Sequence, residues 1–171
     1  MTTAIDAVRK SLGISHWMLD SVLADLPEDA ARRTFPNTRM NPITPTVAHA
    51  VYGEDVMINR FVLDREPLLT RDGWLARTGV PDDNHVLSPE LLAAPLDLAA
   101  LREYAAAVFG ETDRTLAGLL PGDLGRMVPT PFGNEVPAVD FLAMFPAVHL
   151  SSHVGEISAL KGALGMTGYP M

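Results

Sequence analysis

The chain contains no cysteine. Disulfides, thiolate zinc sites and a cysteine nucleophile of its own are therefore excluded, and any thiol chemistry needs a thiol from outside. Lysine is nearly missing too, with Lys10 and Lys161 standing alone. The formal net charge is −8, and no basic cluster is larger than Arg32-Arg33. Nucleic-acid binding by phosphate neutralisation is disfavoured on that balance. No uncharged apolar run reaches the roughly 18 residues of a membrane-spanning helix. The start, Met1 to Lys10, holds an acid and lacks the apolar stretch of a signal peptide. A cytoplasmic protein with neither membrane nor nucleic-acid partners is expected. The glycines form no phosphate-cradling loop of either common type.

What the chain does have is length and apolar content. Its 171 residues fit one domain, and with 47% hydrophobic residues it can build a sizeable core. Ile5, Val8, Leu12, Leu19, Val22 and Leu26 recur at three-and-four spacing and predict a helix over about residues 3–26, stopped by Pro27. His16 lies on that stripe. Thr44-Pro45 reads as N-cap and first helical position of a second helix, running to about Asp64. It is apolar on several sides, which marks a central helix. His49 and Gly53 lie one turn apart on it, and Gly53 suits a close approach by another helix or a ligand.

Residues 66–96, which include Trp74, show no sustained period and read as a long surface connection with one short helical piece. Asp97 caps a third helix carried by Leu98, Leu101, Ala105, Val108 and Leu119. Residues 121–136 are turn-rich and suit a short hairpin. Pro137 opens a fourth helix with the stripe Leu142, Phe145, His149, His153, Ile157, Leu160 and Leu164, closed by Gly165. Pro146 should kink it one turn before His149. The expected fold is all-α, a four-helix bundle with long connections and a short hairpin before the last helix, in one domain over residues 1–171.

His149 and His153 are four residues apart, which puts both imidazoles on one helix face. Buried imidazoles sharing no partner would leave polar nitrogens unsatisfied, and a shared metal ion removes that cost. His49 on a facing helix would complete a three-histidine site with an open position. Three nitrogen donors do not select the metal, so zinc, nickel, iron, manganese, cobalt and copper all stay open. Glu156, on the same stripe as His153, is the first candidate to orient a ligand imidazole or to act as a catalytic base. Glu54 and Asp55 are expected to face away from His49 and pair with Arg60 or water. His16 is a fourth ligand, a pocket wall or a satisfied core histidine. His85 reads as a solvated loop residue. Ser151 and Ser152 lack the partners of a serine nucleophile.

The run His149-Leu-Ser-Ser-His153-Val-Gly155-Glu156-Ile157 resembles the closing His-x-x-x-His-x-Gly-Gln/Glu-Ile helix of the DinB-like family of four-helix-bundle metalloproteins. Thr130-Pro-Phe-Gly133, Asn41-Pro42 before the helix of His49, and His16-Trp17 extend the resemblance over most of the chain. Pro146 and Val154 depart from the family pattern. The resemblance implies a divalent metal on His49, His149 and His153 in a pocket at one end of the bundle. It also implies a homodimer, and an activity like that of the bacillithiol and mycothiol S-transferases, which use a low-molecular-weight thiol on a small-molecule substrate. A metal-dependent hydrolase with Glu156 as base, and a non-enzymatic metal-binding or stress-associated role, are the competing readings.

Overall fold

The computed structural model describes residues 3–81 and 87–169. His85 falls outside them. The helices are α1 (Ala4–Leu23), α2 (Glu28–Ala31), α3 (Ile43–Asp55), α4 (Leu68–Arg71), α5 (Trp74–Thr78), α6 (Pro89–Ala93), α7 (Leu98–Gly118), α8 (Pro121–Leu124), α9 (Ala138–Met144) and α10 (Pro146–Ala163). A π-helical stretch, Val56–Val62, continues α3. Strands β1 (Met127–Pro129) and β2 (Glu135–Pro137) form an antiparallel hairpin with Val128 opposite Val136. The protein is all-α apart from this hairpin, as the periodicities predict.

Four long helices, α1, α3 with its π extension, α7 and α10, make the bundle. Their directions follow from which residues meet. Ser15 meets Ser151 (Oγ to Oγ 2.8 Å), and the Lys161 ammonium donates to the Val22 carbonyl (2.7 Å), so α1 and α10 run parallel. Arg9 pairs with Asp113 at one end of α1, while Arg102 donates to the Leu26 carbonyl (3.1 Å) just past the other, so α7 runs against α1. The ring of His49 meets that of His153 while Gly53 meets His149, so α3 runs against α10. The order is up-down-down-up. Two neighbouring helices that run parallel need a connection spanning the bundle's length. The segment between the π stretch and α7 provides it.

That segment is not merely a surface loop. It folds into α4, α5 and α6 and buries Leu68, Leu69, Trp74, Val80, Leu91 and Leu96 in the main core. Trp74 packs against Tyr104 and carries the Arg77 guanidinium over its ring at 4.0 Å, so it is a core residue. The segment lacks helical period because each helix is a single turn between prolines and glycines, too short to repeat.

Local signals set the helix ends. Thr3 and Asp6 form a reciprocal capping box on α1. Asp97 accepts from the Ala100 N–H (2.9 Å) and caps α7. α3 begins earlier than its Thr-Pro pair suggests, with Pro42 as N-cap and Thr44 already inside the helix. Pro146 breaks the last helix in two. It is the first residue of α10, where a missing N–H costs nothing, so the predicted kink becomes a fresh start after Phe145 (φ −104°, ψ −64°).

Glu54 and Asp55 are both fully buried in the middle of the bundle, not paired outward as expected. Asp55 accepts from the Leu68 and Leu69 N–H groups (both 3.0 Å), from Asn59 (2.8 Å) and from the Tyr104 hydroxyl (2.6 Å). It thereby caps α4 from inside the core. Burial pushes the Asp55 carboxyl above its ordinary range, with the Tyr104 bond opposing, and pushes the Tyr104 hydroxyl well up. No described helix is long and apolar enough to cross a membrane.

Candidate metal centre

α10 anchors itself through Leu150, Val154 and Ile157, which are fully buried. That orientation turns His149 and His153, one turn apart, to the groove shared with α3. His49 comes from the facing helix. The three residues each offer one ligand atom, and these atoms all lie within 4.8 Å of one another. The ring centroids are 5.1 Å (His49 to His149), 4.7 Å (His49 to His153) and 4.6 Å (His149 to His153) apart, with interplanar angles of 65°, 89° and 72°. All three are half-buried.

Two further observations fit a cation. A Cβ built on Gly53 would lie 2.3 Å from His149 Cε1, so only glycine there leaves the His149 ring its place. The Nδ1 of His153 lies 2.9 Å from Glu156 Oε2. A carboxylate accepts, so Nδ1 carries the proton and Nε2 keeps its lone pair for a ligand. Glu156 is thus placed to orient a coordinating imidazole. The cluster can hold a metal ion.

His16 is not part of this group. Its Nε2 meets both oxygens of Glu54 (2.9 and 3.0 Å), and its ring stacks on Phe109 at 3.8 Å and 10°. Thr112 Oγ1 donates to Glu54 Oε1 (2.8 Å). A fully buried carboxylate demands such donors, and His16 and Thr112 answer from α1 and α7. The partnership of Glu54 was missed in the sequence, where its signal was available. A helix apolar on several sides has no solvent face for Glu54 or Asp55. Ser151, between the two α10 histidines, is held by Ser15, whose hydroxyl also donates to the Ala147 carbonyl (3.4 Å).

The sequence matches the DinB superfamily over residues 15–157. In three dimensions the chain is similar to a solved structure described as the conserved protein of locus from Enterococcus faecalis. The two are 18% identical, the alignment covers 93% of this chain and 96% of that one, and the TM-score is 0.76, which shows a shared fold. No curated protein matches.

Proposed function

Because the chain belongs to the DinB superfamily, we propose that it is a metal-dependent enzyme that transfers a low-molecular-weight thiol, of the mycothiol or bacillithiol kind, to a small electrophilic substrate. The observation that carries this reading is the three-imidazole cluster in a chain with no thiol of its own. His49, His149 and His153 would hold the ion, with zinc, nickel, iron or manganese suited to three nitrogens. A divalent ion bound there supplies one thing, a bias toward the deprotonated, nucleophilic form of a thiol or water. The other duties fall to the protein. Glu156 fixes the His153 ring through Nδ1, and Gly53 makes room for the His149 ring. The neutral imidazoles leave the ion's positive charge uncompensated. A homodimer, which the family resemblance implies, and a cytoplasmic location, expected from the sequence, complete the reading.

The test is direct. Metal-loaded protein, mycothiol or bacillithiol, and a chromogenic electrophile should show acceleration over the thiol alone, lost in His149→Ala. Absence of acceleration with either thiol overturns the proposal. Turnover without thiol, abolished in Glu156→Gln while the metal stays bound, would identify a hydrolase instead.

A further inference from the structure

A cavity of about 110 Å³ lies between α1 and α7, and the three histidines of the candidate centre do not line it. Leu12 and Leu116, both 1% exposed, give it apolar walls. Arg9 and Asp113 join across its rim through two bonds (2.8 and 3.0 Å), so their charges offset each other there. His16 forms a polar wall. The side chain of a helical residue covers the turn N-terminal to its own Cα. For His16 that turn carries Leu12 and Gly13, which both line the cavity.

Two observations set His16 apart from a core imidazole with a purely structural duty. First, only one of its nitrogens is engaged. Nε2 reaches both oxygens of Glu54 (2.9 and 3.0 Å), a fully buried acid that also accepts from Thr112 (2.8 Å). A carboxylate accepts, so Nε2 carries the proton and Nδ1 of the neutral ring keeps a lone pair. Nδ1 has no hydrogen-bond partner among the described residues and retains accessible surface, in a side chain that is 13% exposed. Phe109 stacks on a face of the ring and leaves its edge open. Second, Gly13 stands three residues before His16, on the same side of α1. Glycine inside a helix costs stability, and no neighbour requires it here, since an added Cβ would meet nothing within 4 Å. What its missing side chain does is leave the cavity unfilled.

We infer that this cavity is a binding site for a small uncharged molecule of the phenol class. Its hydroxyl donates to His16 Nδ1, and its apolar body lies between Leu12 and Leu116. The space is of the same order as the roughly 150 Å³ of an engineered apolar cavity that holds benzene. Apolar walls with one placed polar group are the usual make-up of a small-molecule site. The paired rim charges select neither an anion nor a cation. Glu54, behind the ring, fixes the tautomer in the way a buried acid does in a catalytic triad. The inference does not depend on the proposed thiol transfer.

The experiment is a titration of the zinc-loaded full-length protein, isotope-labelled at its histidine nitrogens, with phenol and separately with benzene. It is run at about pH 8, above the ordinary histidine value. Phenol should bind saturably and shift the His16 Nδ1 resonance while Nε2 keeps its proton. Benzene, which offers no hydroxyl, should bind about tenfold more weakly, the scale of one hydrogen bond. Gly13→Leu puts a side chain into the cavity without touching the metal donors. It should weaken phenol binding about tenfold or more and leave zinc content unchanged. Binding should survive in His149→Ala, which separates this cavity from a phenolate on the metal ion. The Nδ1 shift is read on the wild type, so it decides the matter even where Gly13→Leu fails to fold. The inference is overturned by no saturable phenol binding, by an Nδ1 resonance that stays in place at saturation, or by equal affinity for phenol and benzene. Equal phenol affinity in the wild type and folded Gly13→Leu, or loss of binding in His149→Ala, overturns it as well.

Discussion

The ring of His149 occupies the space that a side chain at position 53 would fill, with Cε1 2.3 Å from where a Cβ of residue 53 would stand. Alanine at Gly53 would favour the helix by about 1 kcal/mol, yet it must displace that ring. Gly53→Ala is therefore expected to weaken metal binding by about tenfold or more, the effect of turning one ligand away, as read by competition with a chelating dye. Gly13 in α1, where an added Cβ meets nothing within 4 Å, is the control. Gly13→Ala should stabilise by about 0.5–1 kcal/mol and leave metal affinity alone.

Glu156 holds His153 through Nδ1, and its effect should be read in affinity before activity. Glu156→Gln keeps the shape but replaces a charged acceptor with a neutral amide. Metal affinity should drop by about 10-fold to 100-fold, measured by elemental analysis after dialysis against graded chelator. Unchanged retention would mean that the contact does not tune the ligand.

Glu54 has no exposed surface, and His16 Nε2 is its hydrogen-bond partner from α1. Removing the histidine takes from a buried carboxylate one of the two side-chain partners identified among the described residues, His16 and Thr112. His16→Ala should cost about 3–5 kcal/mol of unfolding free energy in urea. Adding Glu54→Gln should restore part of that loss, since the stranded group is then neutral. Additive losses in the double variant would show that the two side chains are not coupled.

Asp55 makes a pH-dependent contribution whose sign follows from its raised carboxyl. Its ordinary value is 3.8, and burial lifts it in the folded state. Between those two values the folded protein holds a proton that the unfolded chain has released. Stability from this group therefore falls as pH rises through that interval and is level above it. Asp55→Asn should remove that slope in urea titrations carried upward from about pH 4. It should also cost about 2–3 kcal/mol at neutral pH, because one amide oxygen cannot serve four donors.

Much of this architecture can be read from the residues. The stripes of α1, α7 and α10 repeat over several turns, and long repeats are unambiguous. The grouping of His49 with His149 and His153 follows from a pair at helical spacing and a third on a central helix. Single-turn elements are less legible. α4, α5 and α6 are too short for a period, and their helical state depends on burial against α3 and α7 and on the Asp55 cap. The start of α10 was obscured by Pro146, which fits the first turn of a helix as well as it breaks the middle of one. Glu54 was misplaced because charge alone suggests solvent, while its true partners come from helices remote in sequence.

The donors of the candidate centre are far apart along the chain, His49 about a hundred positions before His149. An ion seated on them would fasten the second long helix to the last, closing a loop of that length in a molecule that has no disulfide to do so. By the loop-entropy reckoning used for disulfides, such a staple restricts the unfolded chain by roughly 4–5 kcal/mol. Chelation would then loosen the whole fold as well as empty the site.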